Sequence, residues 1–260
     1  MTKLGALAAM LLLLTAPMPA AAQIADEDAA RVALIDRIKP SVVHVKTIAP
    51  PPAAKADSRK GNRDPSLDEL LASMRGSLGE PRPQEGSGFV VDSARGLILT
   101  AAHVVARNNG VRVVLADGIE REAAVVAADD RAGIALLRVT GALPPALELA
   151  AAAPRAGERT ILLGWMIPLK SVLAFETMVT GAAPGVADKS PEAPAVNYVA
   201  LDVAIPNGGF GGGPVVGRDG KVVGLVSAIY GNTYGPGALT LIIPASEIAP
   251  RLASLVAGVR

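Results

Sequence analysis

Short apolar runs bounded by turn residues recur along most of this chain. Residues 88–91, 97–100, 111–115, 121–126 and 134–139 each show the pattern, with Gly, Asp or Asn between them. Short runs of this kind between turn signals predict strands, and close spacing predicts a barrel or sandwich. A break follows, with Gly141, Pro144 and Pro145, and then a second set at residues 160–165, 177–180, 198–203 and 215–229. The last run holds Asp219-Gly220, a dipeptide suited to a hairpin turn. The β region therefore falls into two halves, divided near residues 141–155. Residues 41–47 predict a further strand before the first set.

Helical signals lie at the ends. Residues 25–39 carry Asp26, Glu27 and Asp28 at the start and Lys39 at the end, as the helix dipole favours. Pro40 stops that helix. Residues 246–256 predict a closing helix. Ser66-Leu67-Asp68-Glu69 matches a capping box, so residues 67–75 predict a small helix ending at Gly76. Residues 50–64, rich in Pro, Ala and charge, predict a loop.

Composition sharpens this picture. Half of the 260 residues are hydrophobic but only 3% are aromatic, so the core is built from Val, Leu, Ile and Ala. The formal charge of +1 gives no footing for nucleic acid or an anionic membrane surface. Without cysteine there are no disulfides and no thiolate metal sites, and two distant histidines imply neither a metal nor a cofactor. Residues 1–22 read as a secretory signal peptide: Lys3, an apolar stretch over residues 4–14, and Ala20-Ala21-Ala22 before the cleavage point. An uncleaved anchor is the alternative. Cleavage leaves a chain from near Gln23 with no stable membrane span, located in the periplasm or secreted. The predicted division is a signal peptide (1–22), an N-terminal segment and first barrel (23–148), and a second barrel with the closing helix (149–260).

Several segments carry a family pattern in order. They are Lys39-Pro40-Ser41-Val42-Val43, Gly86-Ser87-Gly88-Phe89-Val90-Val91-Asp92, Thr100-Ala101-Ala102-His103, residues 125–138, Gly212-Gly213-Pro214-Val215-Val216 and Ile242-Ile243-Pro244-Ala245. Together they resemble the HtrA/DegP-type branch of the trypsin-like serine proteases. The resemblance implies an all-β fold of two perpendicular barrels with short terminal helices and an active site between the barrels. With the chain ending at Arg260, no PDZ domain is expected to follow.

The same resemblance assigns residues to roles, and there the pattern fails. His103 takes the place of the general base. The aspartate that would orient it falls at Gly133, and the nucleophilic serine falls at Gly211 within Gly209-Phe210-Gly211-Gly212-Gly213-Pro214. Phe210 stands where asparagine is usual, and residues 205–209 carry about one extra residue. The N–H groups of Gly209 and Gly211 would form the oxyanion hole. Asp129 matches a turn aspartate, and Asp130 would reach the histidine only through a shifted loop. Ser227 and Thr100 are poor substitute nucleophiles: the first flanks the specificity pocket and the second has a structural place. His44 alternates with Val43 and Val45 and is expected to face solvent. A glycine can neither form an acyl-enzyme nor fix an imidazole tautomer. The expectation is a degenerate member, a pseudoprotease whose cleft binds polypeptide or an envelope protein in a chaperone-like, regulatory or scaffolding role, with oligomers left open. An active endopeptidase with a non-standard site is the alternative.

Overall fold

The computed structural model describes residues 20–48, 84–106, 109–183, 196–205, 209–230 and 238–258. Most of the predicted signal peptide, the 50–64 loop and the 67–75 helix lie outside the described residues. The chain divides into two units, residues 1–37 and 38–260. The described part of the first is helix α1 (Ala20–Ile38), which begins earlier than the acidic cluster suggested. Asp26, Glu27 and Asp28 therefore sit past its first turn, and Asp28 pairs instead with Arg31 at 2.7 Å. No described helix is long and apolar enough to cross a membrane.

In the second unit twelve strands close into two barrels of the same topology. The first comprises β1 (Val42–Thr47), β2 (Glu85–Asp92), β3 (Leu97–Ala101), β4 (Val111–Val114), β5 (Glu120–Asp129) and β6 (Ile134–Val139), in the order β1-β2-β3-β6-β5-β4. The second comprises β7 (Arg159–Met166), β8 (Ser171–Ala183), β9 (Tyr198–Leu201), β10 (Pro214–Val216), β11 (Val222–Tyr230) and β12 (Leu239–Pro244), in the order β10-β11-β12-β9-β8-β7. All neighbours are antiparallel. Register shifts at Val90/Asp92, Val125/Ala127 and Val226/Ala228 bend the strands where the barrels must turn. The aliphatic core expected from composition is present: Leu97, Ile98, Leu99, Leu136 and Leu137 are fully buried in the first barrel, and Leu162, Leu201, Val215 and Ile242 in the second.

Helix α2 (Ala102–Val105) is a single turn after β3, and α3 (Ala245–Gly258) closes the described chain. Helix α3 follows the second barrel but returns to the first, where Leu252, Leu255 and Val256 pack against Leu97 and Leu136. Arg251 on α3 pairs with Glu247 at 2.6 Å and lies 3.8 Å from Asp129 at the end of β5. The C-terminal helix thus braces the turn that leads into β6.

Strand β8 starts at Ser171, well before residue 177, and its first half, with the apolar run Val172-Leu173-Ala174-Phe175, pairs with β7. His44 departs more sharply from expectation. It is 3% exposed, since β1 is covered on both faces, by its own barrel on one and by β7 on the other. Its ring stacks on Trp165 with centroids 5.0 Å apart and planes 9° apart. Glu85 Oε2 lies 2.8 Å from Nε2, a close charge contact outside good hydrogen-bond alignment. Burial lowers the His44 pKa, and the nearby Glu85 carboxylate opposes but does not reverse that effect. The sign for stability follows. The unfolded chain binds this proton near pH 6.5 and the folded chain only at lower pH, so stability falls as pH drops below about 6.5. Thermal melts between pH 7.5 and 5 should show that decline, and His44→Asn should make it shallower, leaving the share of His103, whose pKa burial also lowers. An unchanged slope in the variant would remove His44 from the account.

Candidate active-site cleft

His103 sits on the single-turn helix α2, between two buried neighbours, Ala102 and Val104. The Ala102 N–H donates to Gly133 O at 2.9 Å, which ties the helix to the turn before β6. The imidazole itself is exposed to the cleft, yet protein packed around its base desolvates it and lowers its pKa below the usual histidine value. No charged group counters that effect. Among the described residues no side chain hydrogen-bonds to His103.

The glycine-rich loop faces this histidine. A Cβ built on Gly211 would lie 2.9 Å from His103 Nε2 and 3.3 Å from Cε1. Of the six positions from Gly209 to Pro214, Gly211 therefore aims its missing side chain at the imidazole. The next residue is held differently. Gly212 has φ +85°, and a Cβ there would meet Ser87 O at 2.2 Å and Thr100 Oγ1 at 2.5 Å. Only glycine fits a left-handed residue pressed against backbone in this way.

Ser87 is the clamp on this loop. Its N–H donates to Gly211 O at 2.7 Å, and its hydroxyl donates to Gly209 O and accepts the Trp165 N–H at 2.8 Å. Thr100 Oγ1 donates to Ser87 O at 2.7 Å, so this threonine is occupied in support of the clamp. Gly212 N–H donates to Val226 O at 2.8 Å and Gly213 N–H to Phe210 O at 2.9 Å, completing a tight turn. Ser87 thus joins β2 of the first barrel to β7 and the glycine loop of the second. Sequence reasoning assigned Ser87 no role, because a buried serine in a Gly-Ser-Gly run reads as packing.

Phe210 is fully buried in the second barrel, edge-on to Phe175 with centroids 5.6 Å apart. It shares its cluster with Leu162, Met166, Val199 and Ile205. A hydrophobic anchor thus replaces the amide expected at that position. The opposite side of the cleft holds Gly133 at φ 69°, its N–H donating to Asp130 O at 3.2 Å. Asp129 Oδ1 accepts the Ala132 N–H at 3.0 Å and is engaged in the turn, whereas Asp130 is exposed. Neither carboxylate contacts His103. Ser227 is half-buried at the β11 bulge, and its side chain makes no hydrogen bond to the loop clamp or the histidine among the described residues.

The cleft also presents a strand edge. Strand β11 pairs with β12 as far as Tyr230, whereas β10 covers it only from Val222 to Leu225. Val226 is held by Gly212 and Gly213. From Ser227 to Tyr230 that second edge is uncovered among the described residues.

Two closed six-stranded barrels, with a histidine of the first facing a glycine turn of the second, form the framework of a chymotrypsin-like site. Residues 86–225 match the family described as trypsin-like peptidase domain. The chain belongs to that family. It is 34% identical over 223 residues to a protein of Hahella chejuensis named "probable periplasmic serine endoprotease DegP-like", covering 81% of this chain and 45% of that protein. It is 31% identical over 227 residues to the protein of Danio rerio named "serine protease HTRA1A", covering 85% of this chain and 40% of that one. The trypsin-like chain thus spans less than half the length of these curated relatives. Among solved structures, the active form of the Rv3671c protease from M. tuberculosis superposes with a TM-score of 0.64 at 24% identity, over 87% of this chain and 86% of that one. That structure attests the double-barrel fold.

Proposed function

We propose that this HtrA-type barrel pair is exported and catalytically silent, and that it binds extended polypeptide in its cleft. The observation that carries the reading is the pairing of His103 Nε2 with a side-chain position that Gly211 leaves empty. Acyl transfer needs an activated hydroxyl within hydrogen-bond reach of the base, and a third group to orient that base. Gly211 and Gly133 supply neither. Peptide binding makes no such demand. An extended chain adds as a strand along an open edge through backbone hydrogen bonds, and the Ser227–Tyr230 segment offers that edge. The periplasmic names of the DegP-like relatives support an exported location.

Fluorescence anisotropy with a labelled unfolded peptide tests the reading. Saturable binding is expected, and the labelled peptide should remain uncut at the end of the titration. A photo-crosslinking residue at Ala228, exposed beside the edge, should capture the peptide, while one at the distant, exposed Arg155 should not. No saturable binding, or capture at Arg155 in preference to Ala228, would overturn the proposal.

A further inference from the structure

We infer that the His44–Trp165 stack is an acid-released latch between the barrels, which holds the glycine loop in place at neutral pH and frees it when His44 takes a proton. The inference rests on the peptide-binding reading above and adds the regulation of that site. Three observations carry it.

The first is an unmatched nitrogen at the seam. The His44 side chain is 4% exposed, and its Nε2 has no aligned hydrogen-bond partner. A buried polar atom left in this way costs free energy, and a buried imidazolium costs more. In its neutral form the ring lies flat on Trp165 of β7, so the barrels meet here through stacked aromatic surface.

The second is a way out for the charged ring. Glu85 Oε2, 2.8 Å from Nε2, belongs to a side chain that is 32% exposed. A protonated ring that turns toward Glu85 gains a carboxylate and water together, and gives up the indole. The other charges around His44 offer no such seat. Lys46 on β1 repels an imidazolium, and Glu120 on β5 is held by Lys46 at 3.3 Å and by Arg112 of β4 at 3.1 Å. Asp92, at the far end of β2, accepts the Arg95 N–H. On β7, Arg159 pairs with Glu176, and on α2, His103 lies against Gly211.

The third is the link from the stack to the loop. The Trp165 N–H donates to Ser87 Oγ at 2.8 Å. Ser87 stands directly opposite His44 in the β1–β2 ladder and holds both Gly209 O and Gly211 O. A Cβ on Gly209 would lie 2.5 Å from Trp165 O, and Gly164, the residue before Trp165, is pressed against the Phe210 ring. A Trp165 that shifts off the stack therefore disturbs both residues that precede Gly211. Burial makes His44 harder to protonate in the closed seam than in an open one, so protons collect on the open form and acid favours release.

Trp165 is the only tryptophan in the chain, so its emission reports this seam alone. The test records that emission on the unmodified protein from pH 7.5 to 5, at a temperature far below the melt. Far-UV circular dichroism is followed alongside, and a labelled unfolded peptide is titrated at each end of the range. The emission is expected to shift reversibly to the red while the dichroism holds. Peptide affinity is expected to fall roughly threefold or more, as a preorganised loop is lost. His44→Asn should hold the emission constant and recover most of the lost affinity. Glu85→Gln leaves the stacked rings untouched and should move the emission change to lower pH, because the carboxylate that favours the protonated ring is gone. Emission that stays fixed, that moves only as the dichroism is lost, or that still moves in His44→Asn would overturn the latch and leave the peptide-binding reading standing. So would a change that Glu85→Gln leaves in place, or a peptide affinity that ignores the emission change. Peptide that fails to bind even at pH 7.5 would overturn the binding reading and the regulation built on it.

Discussion

Casein and unfolded reporter substrates are expected to stay intact after prolonged incubation with the purified protein, and a fluorophosphonate probe is expected to leave it unlabelled. The expectation is large because the triad works as a unit. Removing one member leaves only about 10³–10⁴-fold acceleration over water, from the oxyanion hole and binding. Removing a second costs little more. In the proposed reading, glycine stands at both the hydroxyl position and the orienting-carboxylate position. His103 keeps its place opposite Gly211, yet it has neither a proton to take nor a partner to set its tautomer. Among the described residues no candidate group fills the gap. Thr100 is bonded to Ser87 O, Asp129 is bonded to the Ala132 N–H, and Ser227 lies on the bulge of β11. Reproducible cleavage that disappears in His103→Ala would reject the silent-site reading and direct attention to a displaced nucleophile. The double variant Gly133→Asp with Gly211→Ser bears on the same point. A serine at 211 meets only the movable tip of His103, and aspartate is among the residues that best tolerate the left-handed conformation of position 133. That variant should label with fluorophosphonate faster than Gly211→Ser alone.

The strands of the first barrel were the easiest part of this chain to read, because β3 and β6 are short apolar runs bounded by turns. Strand β8 was only partly legible, since it mixes buried, half-buried and exposed residues along both halves and no turn residue separates its apolar start from the rest. His44 was misread for a related reason. Alternation within one strand identifies two faces, and it cannot reveal that a second barrel covers the outer one. Trp165, the ring that buries His44, is more than a hundred residues away. At the candidate site the resemblance pointed to His103, Gly133 and Gly211, and the structure sets His103 opposite Gly211. Ser87 and Phe210 were not. A buried serine carries no signal until its partners, Gly209 and Trp165, arrive from the other barrel. Phe210 in a glycine run gives no hint that its ring leaves the loop for the barrel core. These contacts are tertiary, and local pattern carries no trace of them.

Gly212→Ala is expected to destabilise the fold severely, whereas Gly211→Ala, one residue away, is expected to be tolerated. The contrast comes from backbone geometry. Gly212 occupies φ +85°, where an L side chain costs roughly 1–2 kcal/mol. Its Cβ would also press into Ser87 O at 2.2 Å and Ala101 N at 2.8 Å. Those atoms belong to β2 and β3 and cannot rotate away, so relief requires backbone movement, at about 1–3 kcal/mol more. The sum is roughly 2–5 kcal/mol, or on the order of 10 °C in Tm for a domain of this size. Gly211 lies outside the left-handed region, and the one atom within 3 Å of its Cβ is the tip of the His103 ring. A small rotation of the imidazole accommodates the methyl group, and the reduced freedom of the unfolded chain returns about 0.4–1 kcal/mol. The net shift in Tm should stay within a few degrees. Thermal melts of the two variants therefore test the register of the loop. If Gly211→Ala proved the damaging change and Gly212→Ala the mild one, the residue facing His103 would be misassigned, and the silent-site reading built on Gly211 would fall with it.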